Sequence, residues 1–177
     1  MSEIIKSKIR TIPNWPKEGI MFRDITTLLR DKEGYNHMIN LLVEHYKDMK
    51  LDVIAGIEAR GFITGAVLAN KLGLGFIPIT KRGKLPGETT EHTYEKEYGP
   101  DTIEIHTDAI KQGDKVLIAD DLLATGGTCL AACNLIKKLG GEIVECSFIV
   151  DLPDLGGKKK LEDEGYKVFN LVEFEGE

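Results

Sequence analysis

The chain has 177 residues, of which 42% are hydrophobic and 29% are charged. This length and balance predict one globular domain with a sizeable core, without need of disulfides or a structural metal, and argue against two full domains. The formal net charge of −6 argues against a nucleic-acid backbone as partner, because such binders usually carry basic stripes. Phosphate ligands stay open, since a local cluster of Lys and Arg can bind them within an acidic protein.

Three features of the sequence bear on its compartment. Residues 1–10 carry charges throughout and lack the apolar core of a signal peptide. No apolar run approaches the roughly 18 residues of a membrane span, so we expect no membrane partner. The three cysteines form no Cys-x-x-Cys pair, which favours free thiols in a reducing cytoplasm: Cys129, Cys133 and Cys146.

The first third of the chain predicts two helices around an irregular stretch. Residues 2–10 predict a short helix, ended by the prolines that follow, with an apolar side formed by Ile4, Ile5 and Ile9. Residues 19–26 are mixed in character and are expected to be irregular. Asp31 can cap a longer helix that runs to about Lys50.

From residue 53 onward, short apolar runs alternate with helical patterns. The apolar runs predict buried strands at 53–56, 76–79, 115–120, 143–150 and 167–172. Between them we predict helices at 62–72 and 128–139, and a helix or loop at 155–164. Pro78 suggests irregular pairing of its strand. This alternation predicts an α/β fold, with a parallel sheet covered on both faces.

Residues 81–100 form a long polar stretch, and residues 93–98 and 102–106 could make a hairpin or an excursion from the sheet. A connection of this length and polarity is typical of a lid. In parallel sheets, ligands bind beyond the carboxyl ends of the strands. We therefore expect the chemistry at four places: 58–61, 81–84, 120–128 and 151–152.

The most informative segment is 116–128, where an apolar strand ends in Asp120 and Asp121 and a small-residue loop leads into a helix. Small residues let backbone N–H groups approach a phosphate, and two hydroxyls and the helix N-terminus add donors and positive charge. The loop therefore predicts a cradle for a phosphate monoester, formed by Ala124, Thr125, Gly126, Gly127 and Thr128. The two carboxylates suit sugar hydroxyls or a bridging Mg²⁺.

A structural interpretation of the same segment is a buried strand, a turn and a threonine cap. A bare Thr-Gly-Gly-Thr would not decide between the two, but its junction with the paired aspartates favours the phosphate cradle. No Walker A motif occurs in the chain. The pair Gly73 and Gly75 lacks a third glycine and precedes a strand, which disfavours a dinucleotide fold.

Residues 116–128 resemble the phosphoribosyl pyrophosphate signature of the type I phosphoribosyltransferases. Within it, the sequence of residues 120–128 resembles the adenine-specific branch of that family. Further stretches agree in the right order over nearly the whole chain: 22–25, 56–62, 81–87 and 95–99. The resemblance implies a single phosphoribosyltransferase domain over 1–177, with a small N-terminal hood at 1–30 that contributes the base pocket, and a flexible lid loop at 81–100.

The resemblance also implies a reaction. Adenine and phosphoribosyl pyrophosphate would give AMP and pyrophosphate, a step of purine salvage. Mg²⁺ would be the cofactor, held mainly through the substrate and not by a dedicated protein cage. The enzyme would be a cytoplasmic homodimer.

Roles for individual residues come from the same resemblance. Pyrophosphate would be bound by Ala59, Arg60, Lys81 and Lys84, and the ribose or its Mg²⁺ by Asp120 and Asp121. Adenine would lie among Met21, Phe22, Arg23 and Leu152. Glu97 would handle the proton near the purine imidazole ring, with Arg60 as the second catalytic residue and Tyr98 in the lid.

Taken alone, several of these residues also fit structural roles. Arg60 could be a surface arginine, although a cation at a helix start is unfavourable unless an anion lies there. Phe22 could be a core aromatic, and Glu97 is one of several acids in a solvated stretch. The basic run 81–84 could simply face solvent. Thr80 stands where some relatives carry another basic residue, which puts a contact across subunits in doubt.

Two other functions compete with this one. A different acceptor, such as xanthine, hypoxanthine or orotate, would keep the same donor site, but residues 22–25 argue against it. A ligand-sensing regulator of transcription would need a nucleic-acid surface. The chain is acidic and too short for an added helix-turn-helix domain, which disfavours the regulator.

Overall fold

The computed structural model describes residues 2–96 and 99–176. The strands are β1 Arg10–Pro13, β2 Met21–Asp24, β3 Val53–Ile57, β4 Gly75–Lys81, β5 Thr89–Lys96, β6 Gly99–His106, β7 Lys115–Leu123, β8 Glu142–Asp151 and β9 Val168–Glu173. The helices are α1 Ser2–Ser7, α2 Thr26–Arg30, α3 Lys32–Tyr46, α4 Arg60–Leu72, α5 Gly127–Lys138 and α6 Gly157–Asp163, with a 3₁₀ turn at Pro153–Leu155. In these residues no helix has the length and apolar character needed to cross a bilayer.

Seven strands form the central sheet in the order β5-β6-β4-β3-β7-β8-β9. The five neighbouring strands β4, β3, β7, β8 and β9 are parallel, as predicted. Strands β5 and β6 form an antiparallel hairpin on the β4 edge. The hairpin predicted from residues 93–98 and 102–106 is thereby confirmed, with strands at Thr89–Lys96 and Gly99–His106, while the role of this stretch as a lid stays a prediction. The predicted irregularity at Pro78 is wrong for the pairing with β3, because the register runs through Gly56 and Pro78 without a shift.

The alternation of side chains along each parallel strand builds a core on both faces of the sheet. In β7, Val116 and Ile118 pack in the cluster that contains helix α5. Leu117 and Ala119 pack in the cluster that contains residues of α3 and α4. The loops at the carboxyl ends of the strands are thus left free for chemistry.

The N-terminal region differs most from the sequence-based expectation. Helix α1 ends at Ser7, and Ile5 is fully buried while Ile4 is 52% exposed, so these two do not share an apolar side. The stretch expected to be irregular contains β2, which pairs with β1. Such pairing between separate segments has no periodic signal in a short stretch of mixed polarity. Asp31 caps α3 as predicted, and its carboxylate accepts the Gly34 N–H at 2.7 Å.

Helix α4 ends at Gly73, which has a φ of 70° and closes the helix in the left-handed conformation. An added Cβ at this position meets no atom within 4 Å, so alanine would cost only backbone strain. We predict that Gly73→Ala lowers the free energy of unfolding by about 1 kcal/mol in urea denaturation. Gly75→Ala is the control, because that position lacks a positive φ and its Cβ would lie 3.7 Å from Val53. Equal stability of the two variants would contradict the assignment of the cap.

Candidate active site

A cavity of about 530 Å³ lies beyond the carboxyl ends of β3, β4 and β7. It brings together three of the four segments in which the sequence predicted chemistry. Its polar lining is formed by Glu58, Arg60, Thr80, Lys81, Lys84, Tyr94, Lys96, Asp101, Asp120, Asp121 and Thr128, and Ala59 also contributes. Cations and carboxylates therefore alternate around a single space large enough for a nucleotide-sized ligand.

Arg60 and Asp121 form the central ion pair of this cavity. The Arg60 Nε lies 2.5 Å from the Asp121 Oδ2, and the Arg60 side chain remains 40% exposed. Burial lowers the pKa of Arg60, but the charges and hydrogen bonding of Asp121, together with Asp120 and Asp24, outweigh it and leave the pKa raised. The guanidinium is thus held in place by one edge and keeps the rest of its donors for an anion.

Asp120 is in a less favourable position. Burial and the negative charge of Asp121 raise the pKa of Asp120 well above its usual range. Its Oδ1 accepts the Asp121 N–H at 2.8 Å. Two adjacent carboxylates, of which Asp121 is paired with the Arg60 guanidinium, favour a ligand that offers hydroxyl donors or a cation.

The predicted phosphate cradle lines a second, smaller cavity of about 90 Å³ between β7 and α5. All five predicted residues border it, from Ala124 to Thr128, and Asp120 borders both cavities. Gly126 has a φ of 78° and directly precedes the first turn of α5. The positive end of a 12-residue helix therefore adjoins the small cavity, as a phosphate site requires.

The basic stretch after β4 meets Glu58 at the edge of the large cavity. The Lys81 N–H donates to the Glu58 Oε2 at 2.9 Å, and the Lys84 Nζ lies 4.0 Å from the Glu58 Oε1. Arg82 differs from these lysines, because it pairs with Glu91 at 3.1 Å and does not line the cavity. Lys81 and Lys84 are thus the residues of this stretch that adjoin Arg60.

The residues predicted to form a base pocket lie outside the cavity lining. Met21 is 37% exposed, and the Phe22 ring packs edge-to-face on Trp15 with centroids 4.5 Å apart. The Phe22 ring lies next to a residue of the cavity lining, Arg60, whose guanidinium carbon is 5.7 Å from the ring centroid. Leu152 is buried in the core cluster that contains α3 and α4.

Arg23 is occupied by contacts within the protein. Its Nη1 donates to the Thr11 Oγ1 at 2.6 Å and its Nη2 to the Glu175 carbonyl at 3.1 Å. These contacts tie β2 to β1 and to the C-terminal segment. Glu97 and Tyr98 lie outside the described residues, so their predicted roles stay predictions.

Comparison with known proteins places this geometry in a family. A family model described as the phosphoribosyl transferase domain matches residues 24–176. The chain belongs to the phosphoribosyltransferase family. An adenine phosphoribosyltransferase from Nitrosospira multiformis is 61% identical over 97% of this chain and 98% of that relative.

Solved structures agree with the family assignment. An adenine phosphoribosyltransferase from Thermoanaerobacter pseudethanolicus has a TM-score of 0.94 at 48% identity, covering 98% of this chain and 100% of that one. The Saccharomyces cerevisiae adenine phosphoribosyltransferase has a TM-score of 0.90 at 40% identity, covering 97% and 98% of the two chains. The type I phosphoribosyltransferase fold expected from the sequence is thereby confirmed.

Two supports of this phosphoribosyltransferase site were missing from the sequence-based prediction. The Tyr94 hydroxyl of β5 lies 2.8 Å from the Thr128 hydroxyl and links the hairpin to the phosphate cradle. Gly157, at the start of α6, packs directly on the cradle backbone. A Cβ on Gly157 would lie 2.2 Å from the Ala124 carbonyl oxygen and 2.9 Å from the Gly126 nitrogen. The doublet Gly156-Gly157 was the available signal for such a close approach.

Because both of those atoms belong to the backbone, Gly157→Ala must displace the cradle. We predict that this variant weakens binding of ribose 5-phosphate, a phosphate monoester, by at least about tenfold in isothermal titration calorimetry. Gly75→Ala, in which the nearest atom is 3.7 Å away, should bind like the wild type. Unchanged affinity in Gly157→Ala would show that the loop between β7 and α5 does not hold the phosphate.

Proposed function

We propose that the chain catalyses the transfer of the 5-phosphoribosyl group from phosphoribosyl pyrophosphate to adenine, giving AMP and pyrophosphate. The observation that carries this proposal is the pair of cavities that meet at Asp120: the smaller holds the phosphate cradle, and the larger holds Asp121, Arg60 and the basic stretch. The 5′-phosphate of the donor would bind at the cradle, its ribose at the two aspartates, and its pyrophosphate at Arg60 and the basic stretch. The identities of 56–61% to full-length adenine phosphoribosyltransferases support the same reaction.

The chemistry requires positive charge around the departing pyrophosphate anion. As the bond from C1 to pyrophosphate breaks, negative charge grows on the leaving oxygen and positive charge grows on the ribose. Arg60, Lys81 and Lys84 would stabilise the leaving group, with the Ala59 backbone beside them. Asp120 and Asp121 would hold the ribose hydroxyls and fix C1 in reach of the base nitrogen.

Mg²⁺ fits the same site. Its preferred ligands are oxygens, and the raised pKa of Asp120 beside Asp121 marks a place where a cation relieves repulsion. Two protein carboxylates, one of them engaged by Arg60, are too few for a complete octahedral cage, so the substrate would supply most ligands. When bound, the ion would offset part of the charge on the pyrophosphate.

Adenine would bind beside Phe22, on the side of the cavity where Arg60 faces that ring. The Saccharomyces cerevisiae relative has been solved with adenine and D-2,5-dideoxy-2,5-imino-altritol 1,6-bisphosphate, and a Giardia lamblia relative with 9-deazaadenine. Here Phe22 would stack on the purine, and the Met21 carbonyl would accept from the exocyclic amine. Arg23 would support the pocket, and Leu152 would cover the other face. An acceptor at Met21 disfavours 6-oxopurines, which have no amine to donate.

The β5–β6 hairpin borders the cavity through Tyr94, Lys96 and Asp101, and we propose that it carries the lid. A lid would exclude the water that competes for the electrophilic carbon. Lys96 and Asp101 form an ion pair across the hairpin, which closes the two strands next to the segment that holds Glu97 and Tyr98. We also propose a cytoplasmic homodimer. The three free, buried thiols support the cytoplasm, and the family relationship supports the dimer.

The decisive experiment mixes adenine, phosphoribosyl pyrophosphate and Mg²⁺ and follows AMP formation by absorbance. We expect turnover with adenine, loss of turnover when EDTA removes the metal, and little or none with hypoxanthine. Turnover on hypoxanthine but not adenine would overturn the acceptor. Tight oligonucleotide binding without turnover would instead favour the regulator. Gel filtration against mass standards tests the dimer.

Glu97→Gln removes the carboxylate proposed to handle the proton of the base. We predict that kcat falls by about 10²-fold or more, the range for a lost general acid or base, while the affinity for phosphoribosyl pyrophosphate stays the same. Steady-state kinetics and calorimetry measure the two quantities. Glu95→Gln is the matched control, because Glu95 is an exposed acid on β5 of the same hairpin. A comparable loss of donor affinity in Glu97→Gln would mean that this residue orders the site.

A further inference from the structure

A buried carboxylate lies directly behind the basic stretch. Glu104, on β6, is 3% exposed and does not line either cavity. Its Oε1 accepts the Lys84 N–H at 2.8 Å and the Leu85 N–H at 2.9 Å. We call residues 82–85 the basic loop; these two bonds fix its second half to the sheet.

The rest of the Glu104 carboxylate is also satisfied. The Thr89 hydroxyl donates to Oε2 at 3.3 Å, and the Thr80 hydroxyl lies 3.5 Å from Oε1. Burial acts to raise the pKa of Glu104, but the N–H groups of Leu85, Lys84 and Gly83 outweigh it and leave the pKa lowered. The group is therefore an ionised anchor, whose hydrogen bonds are stronger than those of a neutral acceptor.

The anchor adds to one backbone hydrogen bond at the start of the loop, in which the Arg82 N–H donates to the Thr102 carbonyl at 3.1 Å. The register between β4 and β6 covers only Thr80 with Glu104 and Lys81 with Ile103. Beyond it, Gly83 has a φ of 83°, and Lys84 lies 61% exposed at the cavity edge. Without the carboxylate, the N–H groups of Lys84 and Leu85 would lose their acceptor, and the second half of the basic loop would lose this attachment to the sheet.

We propose that Glu104 is a positioning residue for pyrophosphate: it holds the basic loop so that the Lys84 side chain faces the leaving group. This inference rests on the proposed function. Glu104 itself touches no substrate and acts through the loop. The loop contributes to one end of the site only, so the effect should be confined to ligands that carry pyrophosphate.

The test compares two ligands in one variant. Glu104→Gln keeps the shape and one carbonyl acceptor but loses the charge, and its amide would face the Thr89 hydroxyl. We expect the affinity for pyrophosphate with Mg²⁺ to fall about tenfold in calorimetry, and the affinity for AMP to change by less than about twofold. In kinetics, KM for the donor should rise more than kcat falls, while KM for adenine stays constant.

Glu145→Gln is the matched control. Glu145 is a second glutamate of low exposure, at 8%, and its partner is His45 at 2.8 Å, away from both cavities. The Glu145→Gln variant should lose stability in thermal denaturation without changing the ratio of pyrophosphate to AMP affinity.

If Glu104→Gln fails to fold, Thr89→Val removes one donor to the carboxylate and should weaken pyrophosphate binding about threefold, with AMP binding unchanged.

The outcomes separate this inference from the function on which it rests. Equal losses for AMP and pyrophosphate, or no loss for either, would overturn the positioning role while the wild type still turns over. A wild type that binds neither ligand would overturn the proposed function, and the role of Glu104 with it.

Discussion

The site depends on how one guanidinium compensates two adjacent carboxylates. Asp120 and Asp121 lie within the largely buried strand β7, where removing charge from water is costly. Arg60 satisfies Asp121 through a short, partly buried ion pair, but Asp120 keeps a raised pKa. The protein alone therefore compensates the negative charge of the two aspartates only in part. A ligand with hydroxyl groups, or one that brings a cation, supplies the missing partner and gains affinity from doing so.

The parallel sheet is what makes that arrangement possible. Strand β3 pairs with β7 so that Gly56 lies beside Ala119, one residue before the aspartates. Helix α4 begins at Arg60, directly after the end of β3, which brings the guanidinium to the carboxylates of the neighbouring strand. Because β7 continues through Leu123 into the cradle, the same strand also fixes the distance from the aspartates to the phosphate. The two cores on either face hold these strands rigid.

The parts of the fold with a periodic pattern could be predicted from the sequence. Strand β7, the cradle and the C-cap at Gly73 all have local signals, since apolar runs, small residues and a terminal glycine each act within a few residues. The β1–β2 pairing had no such signal, and the β5–β6 hairpin was predicted only as one alternative, from residues 93–98 and 102–106. Strand β5 is polar, with exposed residues along its length, so its pairing with β6 and not an apolar face defines it. The roles of Tyr94 and Glu104 could not be predicted, because each acts on a residue distant in the sequence; Gly157 had a local signal in its glycine doublet, but the cradle on which it packs is also distant in the sequence.

The hairpin connects the two ends of the site. On β5, Tyr94 holds Thr128 at the phosphate cradle, and on β6, Glu104 holds the backbone of Lys84. These strands are paired in register over eight residues, from Thr89 with His106 to Lys96 with Gly99, so a shift of one strand moves both contacts. A freely moving loop over residues 81–100 could not couple them. A paired hairpin can, because one pair of hydrogen-bonded strands carries both contacts.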